Sequence, residues 1–346
     1  MANNLCCNLL SKLINQILIP KQFVMNKFKP SLILALVLAF SACKKDNTIQ
    51  EKLGDYSMPD AISATSLPSG YSLSNWMGTI PDGTSIAAIS IPGTHDSGAR
   101  TEPVSGTAKC QNLSIADQLS AGVRYLDIRC RHIDNGFAIH HGAIYQNLNF
   151  GDVLNACINF LNNNPSETII MSVKEEHTPS NNTRTFEQTF DSYVQQNASK
   201  WDLGNNVPTL GAVRGKIRLL RRFDSGAVKG IAATSWADNT TFEINNSNAN
   251  LKVQDFYNVN DVNTKWANVE SLLNEAKNST SNRIYLNYGS GYKAGIFGIP
   301  NINTVANSVN PKITTYFSNN THGRFGIIPL DFIDSGRSQL IVNTNF

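Results

Sequence analysis

The chain has 346 residues and a formal net charge of +3. Four of its 29 basic residues (Lys12, Lys21, Lys27, Lys29) and none of its 26 acidic ones fall within positions 1–42, so the remainder carries 25 against 26, a formal charge of −1. That near-neutral remainder lacks the basic field on which nucleic-acid binding depends. A hydrophobic content of 41 % excludes disorder throughout the chain, and the roughly 300 residues beyond the leader suffice for one large core or two small ones.

The opening segment reads as an export signal. Met25-Asn26-Lys27-Phe28-Lys29 is an internal start with a basic flank, followed by an apolar run from Leu32 to Phe40 and by Ser41-Ala42-Cys43. The run is too short to span a bilayer, and its flanks suit a secretory leader over residues 1–42. Cys43 directly after Ser41-Ala42 looks like the acylated cysteine of a bacterial lipoprotein, with Phe40 where such sites carry an aliphatic residue; the alternative is an ordinary signal beside an incidental cysteine. Lipidation at Cys43 places the protein outside the cell, anchored at the outer membrane or surface of the envelope, and loss of the anchor makes it secreted. Residues 43–70 are polar without a sustained period and form a tether for a single folded domain over 71–346. Cys6 and Cys7 leave with the leader, so Cys110, Cys130 and Cys157 remain, an odd set that argues against a disulfide scaffold while allowing one pair.

From there strand-like and helix-like segments alternate without internal repeats. Residues 85–91, 123–129, 137–141, 168–174, 216–222, 251–256, 283–288 and 325–331 read as strands. Val153, Leu154, Cys157, Ile158 and Leu161 before Pro165, and Trp266, Val269, Leu272, Leu273 and Ala276, fall at helical spacing and form core-facing stripes. Such alternation predicts a mainly parallel sheet, and eight strands suggest a closed barrel, an α/β fold of irregular (β/α)8 type. Only seven residues separate the second and third strands. That is too few for a crossover helix, so the irregularity belongs there.

Ionisable residues collect at one end of these runs. His95 and Asp96 follow the first, and the second ends on Asp127-Ile128-Arg129. The third ends on His140-His141-Gly142, the fourth on Lys174 and the fifth on Arg221-Arg222. Asp255, with Tyr257 just beyond, marks the sixth, and Asp331 closes the eighth. The opposite ends (Ser85, Val123, Phe137, Thr168, Leu251, Phe325) are mostly neutral. In a parallel barrel the C-terminal strand ends share one mouth, where such folds keep their chemistry.

Two histidines on different strands, each with a carboxylate candidate, suit a general base and a general acid on opposite sides of one reacting centre. A guanidinium between them suits a phosphoryl group, whose developing charge it meets with paired donors. Lys174, Arg222 and Asp255 offer donors and acceptors for a polyhydroxylated ligand, and Tyr257 an aromatic face. The set describes phosphodiester cleavage beside a sugar-like alcohol.

The same residues resemble a known family. Ser90-Ile91-Pro92-Gly93-Thr94-His95-Asp96-Ser97-Gly98, Tyr125-Leu126-Asp127-Ile128-Arg129, Ile139-His140-His141-Gly142 and the stretch from Asn164-Pro165 to Lys174 look like bacterial phosphatidylinositol-specific phospholipase C. The similarity runs from about Asn75 to Asp331. It implies a distorted barrel and metal-independent chemistry without a cofactor: the inositol 2-hydroxyl attacks phosphorus, releasing diacylglycerol and inositol 1,2-cyclic phosphate, which is then hydrolysed slowly. By matching motif, His95 is the base held by Asp331, His141 the acid assisted by Asp96, and Arg129 the phosphate ligand. Lys174, Arg222, Asp255 and Tyr257 hold the inositol ring. The implied partners are phosphatidylinositol or a glycosylated inositol lipid and a membrane surface, with the protein a monomer.

Outside that set, His140 should face away from His141 and pack. His132, His177 and His322 read as surface residues, and Trp236 and Asn239 have no assignable role. The stretch from Arg100 to Gly106 has no aromatic where family members often carry a membrane anchor. The later loop over residues 289–300 contains apolar side chains that suit either bilayer insertion or packing over the barrel. Three other readings stand beside this one: a metal-dependent phosphodiesterase, disfavoured by Arg129 where a cation ligand would be needed; a non-catalytic inositol-phosphate or glycan-binding lipoprotein; and a zinc protein, for which no CxxC or HExxH spacing exists.

Overall fold

The computed structural model describes residues 68–346. The leader, Cys43 and the tether through residue 67 lie outside the described residues. In chain order the strands are β1 (Ile91–Thr94), β2 (Tyr125–Ile133), β3 (Gly136–His141), β4 (Ile144–Asn149), β5 (Ile169–Glu175), β6 (Trp201–Asp202), β7 (Ile217–Arg222), β8 (Ile231–Ala232), β9 (Thr241–Asn245), β10 (Asn250–Gln254), β11 (Ile284–Asn287), β12 (Lys293–Ala294), β13 (Pro300–Asn301) and β14 (Ile327–Leu330). The helices are α1 (Ile115–Ser120), α2 (Phe150–Asn163), α3 (Phe186–Gln196), α4 (Leu210–Val213), α5 (Val262–Asn278), α6 (Ile302–Asn319) and α7 (Ser335–Asn343).

Eight strands pair in parallel in the order β8, β7, β5, β2, β1, β14, β11, β10, and the two-residue β6 pairs in parallel with the start of β7 on the same edge as β8. This is the expected irregular (β/α) barrel, with its irregularities in particular places. Among the described residues no ladder joins β8 to β10, so the ring is open there, and β9 instead pairs antiparallel with the outer edge of β10. The run 137–141 is not a stave. It is β3, an antiparallel ribbon with β2 and β4, which is why no crossover helix was needed after β2. The first run is also displaced. Ile86–Ala88 form a 3₁₀ turn capped by the Ser85 side chain, and the strand starts only at Ile91. Its C-terminal end is therefore Thr94, which puts His95 at the mouth.

The alternation along β2 explains both the core and the site. Leu126, Ile128 and Cys130 face outward and pack with Val153, Leu154, Cys157 and Leu161 of α2. Tyr125 faces inward among Ile91, Ile170, Leu220, Val253, Leu286 and Ile327, and by the same period Asp127 and Arg129 point into the barrel. The helix α2 is held at its start by a reciprocal cap between Asn149 and Asp152. At the far end of the barrel Trp76 is buried and donates to Gly122 O. The three remaining cysteines are buried free thiols.

Candidate active site

The turn after β1 is made by close approach. Ser97 N donates to Asp127 O and Asp127 N to Ser97 Oγ, each at 2.8 Å, tying the turn to β2. A Cβ at Gly98 would stand 2.5 Å from Ile139 Cγ2, so only glycine lets the turn lie against β3. Asp96 itself takes a left-handed φ of 38°, a strained backbone of the kind that collects at functional sites.

One side of the site is a hydrogen-bonded row. Asp331 Oδ1 is 2.8 Å from His95 Nδ1, and Arg129 Nη2 is 2.9 Å from His95 Nε2. A guanidinium only donates, so Nε2 is the acceptor and Nδ1 carries the proton toward Asp331. Gly291 N donates to the second Asp331 oxygen, and Gln111 Nε2 donates to the carbonyls of both His95 and Leu330, fixing the two strand ends relative to each other. Burial pulls the His95 imidazole down, but the charge and hydrogen bond of Asp331, with the Asp127 charge, together leave the group above its ordinary value.

Arg129 sits at the centre. Asp127 Oδ2 accepts from its Nε at 3.3 Å and its Nη2 at 3.1 Å, with Asp96 at 3.8 Å and Glu176 at 3.9 Å. Burial opposes ionisation of Asp127, yet the Arg129 and Arg222 guanidinium groups hold its carboxyl well below the usual range. Glu176, half-buried at the cavity wall, is likewise opposed by burial but kept at about 2 by Arg129, by Lys174 at 2.9 Å and by the amide of Gly142.

The other side is looser. His141 Nε2 stands 3.9 Å from Asp96 Oδ2, beyond hydrogen-bond reach. Burial pushes Asp96 up to about 7 against the pull of Arg129 and His95. Burial also pushes His141 down to about 4, with Arg129 and His95 adding to the effect. The proton of this pair therefore rests on the carboxyl.

A cavity of about 510 Å³ opens between the two sides, and His95, Arg129, His141, Lys174, Arg222, Asp255 and Tyr257 all line it. Asp96 and Asp331 stand buried behind the histidines, so all nine residues singled out from the sequence converge. Others were not assigned a role. Trp236 lies 3.6 Å beneath the Arg222 guanidinium and donates its indole N–H to Asp255 at 3.0 Å. Asp238 accepts from Tyr257 OH at 2.6 Å, and Tyr292 completes the wall. Glu176 was hidden in the run Glu175-Glu176-His177; its only sequence signal is its position two residues beyond Lys174, on the same face of a strand.

The remaining histidines divide. His140 is buried against Tyr145 and His177, facing away from His141 as the alternation requires, and His177 and His322 are exposed. His132 corrects its assignment to the surface: it is buried on β2, against Phe137 and Phe186, with a hydrogen bond to Thr189. At the rim, Phe297 is 93 % exposed, Ile299 is 50 % exposed, and Val104, on the loop that meets Ile302 through Gly106, is also exposed.

A parallel barrel with two imidazoles, two carboxylates and a guanidinium converging at its C-terminal mouth belongs to the phosphodiester-cleaving barrel enzymes. Comparison with known proteins narrows the class. Residues 90–223 match the model of the phosphatidylinositol-specific phospholipase C X domain. The chain is 36 % identical over 275 residues to a 1-phosphatidylinositol phosphodiesterase of Staphylococcus aureus, covering 75 % of this chain and 88 % of the relative. It is 31 % identical over 281 residues to that of Listeria monocytogenes, covering 78 % and 84 %. A crystal structure of the Staphylococcus aureus phosphatidylinositol-specific phospholipase C superposes with a TM-score of 0.72 at 34 % identity, over 80 % of this chain and 98 % of that one. The Listeria monocytogenes structure gives 0.66 at 29 %, over 80 % and 100 %. The chain belongs to the phosphatidylinositol-specific phospholipase C family.

Proposed function

We propose that the protein cleaves phosphatidylinositol by attack of the inositol 2-hydroxyl on phosphorus, giving diacylglycerol and inositol 1,2-cyclic phosphate, which is slowly hydrolysed to inositol 1-phosphate. The observation that carries this reading is the row Asp331, His95, Arg129 facing the pair Asp96, His141 across one cavity. His95 Nε2 takes the hydroxyl proton as Arg129 turns from the imidazole to the phosphate oxygens. Asp331 stabilises the resulting imidazolium. His141 gives a proton to the departing glyceryl oxygen, drawing on the proton that Asp96 holds. An anionic phosphodiester beside His141 opposes the Arg129 charge that, with burial, keeps this imidazole neutral.

Lys174, Arg222, Asp255 and Tyr257 bind the inositol hydroxyls, with Trp236 and Glu176 orienting them. Arg129 supplies the positive charge that a divalent ion would otherwise bring, and Asp127 is already neutralised by two guanidinium groups, so turnover should persist in excess chelator. Lipidation at Cys43 would hold the barrel at the outer face of a cell envelope, with Phe297 and Ile299 meeting the bilayer. Phosphorus NMR of the purified protein with phosphatidylinositol vesicles tests the reaction. A cyclic phosphate signal preceding the monoester supports it, and direct appearance of the monoester overturns it.

A further inference from the structure

Cys110 is a buried thiol outside the proposed reaction, yet its Sγ lies within 4.8 Å of ligand atoms from two separate groups: His95 with Asp331, and Asp96 with His141. The two triads differ in what is already engaged. In the first, His95 Nδ1 and Asp331 Oδ1 are joined at 2.8 Å, and His95 Nε2 is held by Arg129. In the second, both oxygens of the fully buried Asp96 accept no hydrogen bond. There the imidazole stands 3.9 Å from the carboxylate, and the thiol, which also lies beside Asp331, makes a long contact of 3.7 Å to Ala108 O. We propose that Asp96, Cys110 and His141 form an inhibitory site for a thiophilic divalent metal ion such as Zn²⁺, reached from the cavity on the His141 side.

One nitrogen, one sulfur and one oxygen donor suit tetrahedral zinc, whose bonds run about 2.0–2.3 Å and whose ligand atoms therefore need to close only modestly from the present spacing. Binding displaces the protons of the thiol and of the Asp96 carboxyl to solvent, so the ion and its two anionic ligands are together neutral. The fourth position faces the cavity and is open to water or a phosphate oxygen. Arg129, whose Nε lies 3.8 Å from Asp96 Oδ2, repels a hard cation held by charge alone. Ions that bond strongly to thiolate are selected over calcium and magnesium. The bound ion occupies the pair that stores the transferable proton. Its effect on turnover rests on the proposed role of His141; the binding itself does not.

The test uses the full chain and its C110S and C110A variants, with Co²⁺ as an absorbance probe and Zn²⁺ in turnover of soluble inositol 1,2-cyclic phosphate. The wild type should gain a near-ultraviolet thiolate-to-cobalt band absent from both variants. Zn²⁺ should slow its turnover on the order of 10²-fold, as for loss of one acid or base, since in this second step His141 takes the proton of the attacking water. Both variants should keep metal-free turnover and resist Zn²⁺, while calcium and magnesium should leave all three proteins unchanged. Equal cobalt bands with and without Cys110, or equal inhibition, overturn the site. A band confined to the wild type without inhibition overturns the inhibitory role and, with it, His141 as the proton-transfer partner of His95.

Discussion

Arg124, just before β2, and Arg129, midway along it, lie five residues apart and do opposite work. Arg124, at the sealed end of the barrel, is fully buried beside the fully buried Glu167, at 2.8 Å from Nε and 2.7 Å from Nη2. Its remaining donors go to the carbonyls of Leu73, Ser74, Leu119 and Val123, while Glu167 also accepts from Met77 N and Ser166 Oγ. Every polar atom there has a protein partner. Arg129, at the open end, shares its charge among Asp127, Asp96 and Glu176, beside an Asp96 whose oxygens accept nothing. The lesson is that the same side chain is structural when its donors are spent on the fold and available for ligand when they are not.

The largest effect along that contrast should come from the mouth. His95→Ala and His141→Ala should each lower turnover on the order of 10²–10⁴-fold without moving the thermal midpoint, and Asp331→Asn should cost less because the imidazole stays. Near-full activity of His141→Ala on phosphatidylinositol would remove it from the role of acid. The two arginines should then cross. Arg129→Ala should cost on the order of 10²–10³-fold in turnover, as for loss of a charge-stabilising donor. Arg124→Ala should instead cost about 3–5 kcal/mol of stability by stranding Glu167, with turnover per folded molecule retained. Urea unfolding paired with active-site-normalised rates decides this, and an equal stability loss in both variants would erase the distinction.

A subtler effect is expected in pH dependence. The base must be unprotonated, so kcat/KM should fall as pH drops below the raised pKa of His95; the acid pair must hold its proton, so it should fall again above about 7, where Asp96 ionises. Asp96→Asn should move the alkaline limb and leave the acid limb in place. The smallest effect belongs to the rim. Phe297→Ser with Ile299→Ser should weaken vesicle binding, full burial of each being worth roughly 1.5–3 kcal/mol, while sparing hydrolysis of soluble inositol 1,2-cyclic phosphate. Equal loss on both substrates would assign these side chains to packing.

Much of the site was legible because it is local in the strands. His95, Lys174 and Asp331 sit at or just past strand ends, and Arg129 near the end of the parallel part of β2, which runs on to Ile133 as the ribbon with β3; there polarity breaks an apolar run, and the period of two gives the direction of Arg129 and Lys174. What was hidden depends on tertiary context. Ser85 to Ile91 carries apolar residues that suit a strand or a turn, and a side-chain cap on Ala87 decided for the turn. The two-residue β8 is too short to show a period. His132 is polar by composition, but an aromatic cluster on α3 and β3 buries it. Trp236 acquires meaning only beside Arg222 and Asp255, which come from strands distant in sequence.

The missing ladder between β8 and β10 has a mechanical consequence. At the mouth, that gap is spanned through side chains: Arg222 from the end of β7 rests on Trp236, which follows β8 and donates to Asp255, which follows β10, and Asn246, which follows β9, donates to Ala232 O of β8. The wall can thus widen or narrow without breaking a backbone ladder, and its elasticity is set by these side chains, three of which also line the cavity. A ligand grasped by Arg222 and Asp255 acts as a rivet across the seam. Saturating inositol should therefore slow amide exchange along β8 and β10 more than along β2 and β5, whose continuous ladder is already stiff.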